Sequence, residues 1–117
     1  MTGGKLEERT IDYGIAVMEL CGNFPQGFAA KHIAGQLLRA ATSVGANYAE
    51  ATEAESSDDF VHKLKIAMKE LKESRVWLLF ASRLSGAPNV DDLLSESREL
   101  VLMMGKSIAT VSNRIKK

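Results

Sequence analysis

Residues 46–85 contain neither glycine nor proline, so no residue in this stretch interrupts a helix through its backbone chemistry. One break lies well before the stretch, where residues 23–27 read NFPQG, and another lies at its end, where residues 85–89 read SGAPN. Inside the stretch, Ser56 and Asp59 have the spacing of a capping box, which predicts a turn at that point. These three breaks divide the chain into four helical segments. A single long helix through the third break stays open as the alternative.

Apolar residues recur at intervals of three and four within each segment, which is the period of an amphipathic helix. The predicted helices span residues 10–23, 29–54, 58–84 and 90–114. Their apolar rows comprise Ile11, Ile15, Met18 and Cys21 in the first helix; Ala30, Ile33, Leu37, Ala41, Val44, Tyr48 and Ala51 in the second; Phe60, Leu64, Ala67, Leu71, Ser74, Leu78 and Ala81 in the third; and Leu94, Ser97, Val101, Met104, Ile108, Val111 and Ile115 in the fourth.

Four amphipathic helices with short connections pack most simply as an all-α, antiparallel up-down-up-down four-helix bundle. The prediction is one bundle domain over residues 10–117, preceded by a flexible N-terminal segment at residues 1–9. Ile66, Trp77, Phe80 and Leu84 widen the apolar row of the third helix, and we expect its distal half to be deeply buried. The first helix is about half as long as the others and leaves part of them uncovered. This uncovered surface favours contact with a neighbouring subunit.

Composition excludes several classes of protein. Lys and Arg together number 15, as do Asp and Glu, so no global positive field attracts nucleic acid or an anionic membrane. No apolar run approaches the ~20 residues that span a bilayer, and the N-terminus carries no apolar signal segment. The single cysteine, Cys21, cannot form an internal disulfide and is expected to pack as a small apolar group. We therefore expect a cytoplasmic protein.

A row of polar residues runs along one face of the second helix, with its members three or four positions apart. The surrounding residues are small, so another helix can approach closely and enclose polar groups that then need partners. We interpret the row as a structural contact between helices or subunits, in which the Arg39 guanidinium meets a carboxylate or carbonyl groups. The alternatives are a ligand site and a solvated row in which Ser43 bonds back to the Arg39 carbonyl. The members of this polar row are Gln36, Arg39, Ser43, Asn47 and Glu50.

A row of basic residues follows the third helix on the side opposite its apolar row. Such a row can contact successive phosphates of a nucleic acid, with an affinity that falls steeply as salt rises. The competing interpretation is a solvated outer face, because residues 58–85 hold six Lys or Arg and four Asp or Glu. Aromatic residues that would stack on unpaired bases are missing from the row. The members of this basic row are His62, Lys65, Lys69, Lys72 and Arg75.

Pairs of glutamates three residues apart occur in three helices, and such pairs can hold Mg²⁺, as in the all-α nucleotide pyrophosphohydrolases. A helical chain rich in glutamate produces this pattern by chance, however, so the hydrolase is only an alternative. His32 and His62 have no serine or cysteine nucleophile at a suggestive spacing. The expectation is a protein that is not an enzyme and that needs no metal or other cofactor. The glutamate pairs are Glu50 with Glu53, Glu70 with Glu73, and Glu96 with Glu99.

Residues 36–51 read QLLRAATSVGANYAEA and residues 60–67 read FVHKLKIA. These segments closely resemble a family of four-helix-bundle proteins first noticed in intervening sequences of bacterial large-subunit ribosomal RNA genes. The hallmark Arg, Ser, Asn and Glu of that family match Arg39, Ser43, Asn47 and Glu50. The resemblance implies an antiparallel bundle that assembles as a ring, expected to be a homopentamer, without an established enzymatic activity.

A related branch of that family is the accessory variability protein of diversity-generating retroelements. Members of the branch are basic and bind nucleic acid together with a reverse transcriptase. This chain departs from the branch because its formal net charge is zero. The resemblance therefore favours a self-associating adaptor, and nucleic-acid binding by the basic row is the second hypothesis.

Overall fold

The computed structural model describes residues 4–115, and each break predicted from the sequence separates two helices. The prediction of an all-α fold is confirmed, since no strand occurs within these residues. The four helices are α1 (Gly4–Cys21), α2 (Phe28–Thr52), α3 (Ser57–Ser82) and α4 (Asp91–Ile115).

The predicted ends of α2, α3 and α4 lie within two residues of the observed ends, whereas α1 begins at Gly4 and not at residue 10. The segment that was expected to be flexible is therefore helical from Gly4 onward. Tertiary contacts explain the difference, because Leu6 packs against the core and Arg9 pairs with a carboxylate on α4. The rest of the predicted flexible segment, residues 1–3, lies outside the described residues.

The chain reverses between α2 and α3, and a capping box then begins α3. The Ser56 hydroxyl accepts a hydrogen bond from the Asp59 N–H at 3.1 Å, and the Asp59 carboxylate accepts one from the Glu55 N–H at 3.3 Å. The Glu55 N–H, together with Lys63, holds the pKa of the Asp59 carboxyl below its usual value. The turn predicted at this point is confirmed, and the alternative of one continuous helix is wrong.

Consecutive helices pack side by side, and in the first pair the residues in contact run in opposite directions. Along α1 and α2, Gly14 lies against Ala41 and Cys21 donates to the Ala34 carbonyl. Each of α1 and α3 packs against α2 and α4, so α1 and α3 occupy diagonal positions in the bundle. A diagonal placement directs the outer sides of these two helices away from each other.

The core consists of the apolar rows that the sequence indicates in α2 and α3, with α4 contributing Leu100 and Met104. The row of α1 is different, because Ile11, Ile15 and Met18 are exposed and the core receives Tyr13 and Val17 instead. Cys21 is half-buried against the core, and this burial raises the pKa of its thiol.

The first helix is shorter than the other three. With 18 residues α1 is about 27 Å long, whereas the 25 or 26 residues of the others give about 38 Å. Its length does not decide the exposure of Phe80, because α3 lies diagonally across the bundle from α1 and packs against α2 and α4. Phe80 lies on the outer side of α3 and is 54% exposed, so the predicted deep burial of Phe80 is wrong.

Candidate interaction surfaces

Arg39, the central residue of the polar row, bridges α2 and α3. Its guanidinium pairs with the Glu70 carboxylate at 3.2 Å and also donates to Glu73. The Gln36 side-chain oxygen accepts from the Arg39 Nε at 3.3 Å. The side chain of Arg39 is 47% exposed, so the contact lies at the rim of the helix pair and is not enclosed. Water therefore screens most of its electrostatic energy.

An aromatic cluster continues this contact along α3. The Trp77 Nε1–H donates to the Glu73 carboxylate at 3.0 Å. The His32 ring meets the Trp77 ring edge to face with 5.9 Å between centroids, and the Phe80 ring lies 5.4 Å from the Trp77 ring at an angle of 36°. Glu73 thus joins the ion pair of Arg39 to an aromatic cluster in the distal half of α3.

The other members of the polar row contact their own helix. Ser43 donates to the Arg39 carbonyl at 2.8 Å, and the Asn47 amide donates to the Ser43 carbonyl at 2.8 Å. Both are half-buried, whereas Glu50 is exposed. Within residues 4–115, Arg39 is thus the member of the row whose side chain forms hydrogen bonds with another helix.

A second glutamate pair holds an arginine in the same way. Arg9 of α1 donates to both oxygens of Glu96 on α4, at 3.0 and 2.6 Å, and to Glu99 at 3.4 Å. The hydrogen bond to Glu96 is the main cause of a raised Arg9 pKa. Two of the three pairs suggested for Mg²⁺ thus bind arginines, and no cluster of three metal-binding side chains occurs within residues 4–115.

One buried polar contact was not predicted from the sequence. The Tyr13 hydroxyl of α1 lies 2.7 Å from the Ser74 hydroxyl of α3, which in turn donates to the Leu71 carbonyl. Burial raises the pKa of Tyr13, and the hydrogen bond with Ser74 opposes that rise. Ser74 interrupts an otherwise apolar row, and a lone hydroxyl at a core position is the signal that could have revealed this contact.

The basic row remains on the outer side of α3 except at its last member. His62, Lys65, Lys69 and Lys72 are exposed. Arg75 turns toward α4, where its Nε donates to the Ser97 hydroxyl at 2.8 Å. Within residues 4–115 no ion pair involves the four exposed members.

The outer side of α3 becomes apolar where the basic row ends. Val76, Leu79 and Phe80 are 51–54% exposed, and Val76 follows Lys72 at the next helical step. Together with Arg83 they line an open depression of about 430 Å³. We call Val76, Leu79 and Phe80 the outer face of α3. Half-exposed aliphatic and aromatic groups in one contiguous patch are typical of an interaction surface.

A second apolar surface lies on the opposite helix of the diagonal. Ile11, Ile15 and Met18 are 46–52% exposed and follow one another at steps of four and three. We call these three residues the outer face of α1. They border a groove of about 210 Å³ whose other wall is formed by small residues of α2, Thr42, Gly45 and Ala46. Because Gly14 and Gly45 carry no side chains, the two helices approach closely there and backbone atoms form the floor of the groove.

Within residues 4–115, the fold and these surfaces define an all-α four-helix-bundle protein with ion pairs at the helix seams and apolar faces on the outer sides of α1 and α3. Within the described part of the chain, none of the helices combines the length and the apolar character that a membrane span requires. The chain belongs to the family described as 23S rRNA-intervening sequence protein, which it matches over residues 5–106. The family indicated by the resemblance is therefore confirmed.

Comparison with solved structures supports the same family. A crystal structure from Bacteroides thetaiotaomicron, described as a protein with unknown function from the S23 ribosomal protein family, is similar with a TM-score of 0.79. The two sequences are 28% identical, and the match covers 88% of this chain and 97% of that chain. None of the curated proteins compared with the chain matches it.

Proposed function

We propose that this protein is a non-enzymatic scaffold that associates with copies of itself and acts as an adaptor within a larger complex. The observation that carries the proposal is the pair of apolar faces on α1 and α3, each about half exposed. Removing such faces from water stabilises an assembly by about 25 cal/mol per Å² of apolar surface. The family resemblance puts the expected assembly at five copies in a ring.

The elongated shape of the bundle supports association for a second reason. An isolated chain of this shape, 52 Å long and about 20 Å across, has little interior for its surface. Packing of another copy against the outer face of α3 buries apolar side chains that are half exposed in the single copy.

Measurement of the native mass tests the proposal. We expect native mass spectrometry and sedimentation equilibrium to give a multiple of the 12.7 kDa chain, with five as the expected number. A mass of one chain at all concentrations from micromolar to several hundred micromolar contradicts self-association.

A non-enzymatic role is supported by the chemistry of the exposed clusters, in which arginines occupy two of the glutamate pairs. The Mg²⁺-dependent nucleotide hydrolase predicts turnover that is lost in Glu50→Gln, since Glu50 and Glu53 form the third pair. We expect a panel of nucleoside triphosphates with Mg²⁺ to show no turnover by the wild-type protein. Turnover that Glu50→Gln abolishes contradicts the scaffold proposal.

Nucleic-acid binding is the second candidate function, and the exposed Lys65, Lys69 and Lys72 favour it. A ring presents several copies of this weak row to one strand, and multivalency then raises the apparent affinity. The test is a salt series with RNA and with DNA, comparing the wild type with Lys65→Ala/Lys69→Ala/Lys72→Ala. Lys106→Ala, an exposed lysine on α4, is the matched control.

Binding through this row requires that the logarithm of the association constant fall linearly with the logarithm of the salt concentration. The triple variant must then show a shallower slope, and the control an unchanged one. Absence of binding at low salt removes this second candidate and leaves the scaffold proposal intact.

A further inference from the structure

We infer that the outer face of α1 in one copy docks on the outer face of α3 in the next copy, with acidic residues of α1 against basic residues of α3. The inference rests on the proposed self-association and specifies which surfaces meet. It follows from the spacing of charges around the two faces, from the positions of α1 and α3 in the bundle, and from the charge signs.

Acidic residues flank the outer face of α1. Glu8 lies seven positions before Ile15, the central residue of the face, and Glu19 lies four positions after it. Asp12 adds a third exposed carboxylate between them. All of these positions fall on one side of the helix, because seven and four residues are close to whole turns.

Basic residues flank the outer face of α3 at the same distances. Lys72 lies seven positions before Leu79, and Arg83 lies four positions after it. Both cations are exposed, and neither forms an ion pair within residues 4–115. When Ile15 is placed against Leu79 with the helices parallel, Glu8 falls opposite Lys72 and Glu19 falls opposite Arg83. An apolar centre with complementary charges at both ends favours this pairing over others.

The diagonal positions of α1 and α3 determine the kind of assembly. Their outer faces look away from each other, so one copy uses one face for each neighbour. Such head-to-tail contacts form rings or filaments, whereas a two-fold dimer brings identical faces together. A two-fold dimer through α1 would place Glu8 and Glu19 against acidic groups, and one through α3 would gather cations.

Two pairs of substitutions separate these arrangements. Ile11→Gln/Ile15→Gln removes the apolar face of α1, and Val76→Gln/Leu79→Gln removes that of α3. Leu102→Gln is the matched control, because Leu102 is a leucine of α4 with 61% exposure outside both faces. Native mass spectrometry and sedimentation velocity give the masses, and circular dichroism establishes that each variant is helical.

Head-to-tail docking has a distinctive result on mixing. Each double variant retains one intact face without a partner, so each is expected to be monomeric alone. Their equimolar mixture has one productive interface, which gives a one-to-one heterodimer that cannot grow further. The control keeps the wild-type mass.

Other outcomes overturn the inference. If the wild type assembles and either double variant keeps its mass or forms a dimer alone, or if the mixture stays monomeric, these faces do not pair and self-association itself stands. A monomeric wild type removes both the inference and the proposed function.

Charge reversal gives a second test if a glutamine variant fails to fold. Glu8→Lys/Glu19→Lys and Lys72→Glu/Arg83→Glu change only exposed residues, and each makes the two outer faces of one copy carry like charge. Each variant is expected to dissociate alone and to associate again in a mixture of the two. A mixture of the two variants that does not associate, even at low salt, overturns the inference.

Discussion

Arg39 shows how a residue that the sequence marks as special can have a modest energetic role. The polar row predicts an enclosed guanidinium, but the observed side chain is 47% exposed while it spans from α2 to Glu70 and Glu73 of α3. An ion pair at this exposure positions two helices and adds little free energy, because solvent screens it and both side chains lose rotamer freedom.

We therefore expect Arg39→Ala to lower the free energy of unfolding by about 0.2–1 kcal/mol. An enclosed and paired guanidinium would instead cost about 3–5 kcal/mol when removed. Urea denaturation of the variant measures the difference, with Arg98→Ala, an exposed arginine of α4, as the control. A loss above about 2 kcal/mol shows that the contact is enclosed in the assembled protein.

Tyr13 and Ser74 form the opposite case, a contact in the core between diagonal helices. Ser74→Ala removes the hydroxyl that lies 2.7 Å from the buried Tyr13 hydroxyl and should cost about 1–3 kcal/mol, whereas Tyr13→Phe should cost about 1 kcal/mol because Ser74 still donates to Leu71. The double variant should be more stable than the sum of the two losses indicates. Strict additivity would show that the two hydroxyls do not interact.

The same tyrosine makes stability depend on pH in alkali. Burial raises the pKa of Tyr13 in the folded protein above its ordinary value of 10.0, so the protonated phenol favours folding. This contribution to stability is fully present below pH 10.0 and is lost as the pH rises toward and through the raised pKa of Tyr13 in the folded protein. We expect the stability difference between wild type and Tyr13→Phe to shrink as the pH rises above 10.0. A constant difference contradicts this account.

At the scale of elements, the seam between α1 and α2 depends on small residues. A Cβ atom on Gly45 would lie 3.6 Å from Ile11 Cγ1 and 3.7 Å from the α1 backbone, which is ordinary contact with no room beyond it. A Cβ atom on Gly14 would lie equally close to α2, 3.6 Å from the Ala41 carbonyl oxygen. The distance between the two helices is thus set by the absence of side chains at these positions.

Substitutions of glycine in α2 test this dependence. Gly45→Ala should be tolerated, whereas Gly45→Leu must push α1 away and should cost about 1–3 kcal/mol. Gly35→Leu in the same helix is the matched control, since no atom lies within 4 Å of its Cβ position. Thermal unfolding followed by circular dichroism compares the variants. Equal midpoints for the two leucine variants would show that the seam is not closely packed.

At the scale of the whole molecule, the diagonal placement of α1 and α3 is the dominant property. Within residues 4–115, it leaves the apolar outer face of α3 without a neighbouring helix. An assembly that covers this face stabilises the folded state by mass action, because unfolded chains do not associate in the same way.

We accordingly expect the midpoint of thermal unfolding to rise with protein concentration. A rise of several degrees over a hundredfold increase in concentration is the expected scale for a small domain. Val76→Gln/Leu79→Gln should remove the dependence, and Leu102→Gln should keep it. A midpoint that is independent of concentration in the wild type would contradict a stabilising assembly.

The sequence alone determined the helices, their breaks and most of the core. Helix periodicity and capping are local properties, so Ser56 and Asp59 predicted the turn, and the apolar rows of α2 and α3 predicted the buried residues. The same locality identified the polar row and the basic row as rows that share a helix face.

Only the tertiary structure decided which of these faces meet another helix. α1 has two apolar sides, and the core receives Tyr13 and Val17 because the groove formed by the neighbouring helices accepts them, while Ile15 faces outward. The exposure of Phe80 follows from which sides of α3 the neighbouring helices occupy, and the partners of Arg39 lie on another helix. Neither property has a local signal in the sequence. Burial is a property of the surroundings, and the surroundings exist only once the helices have packed.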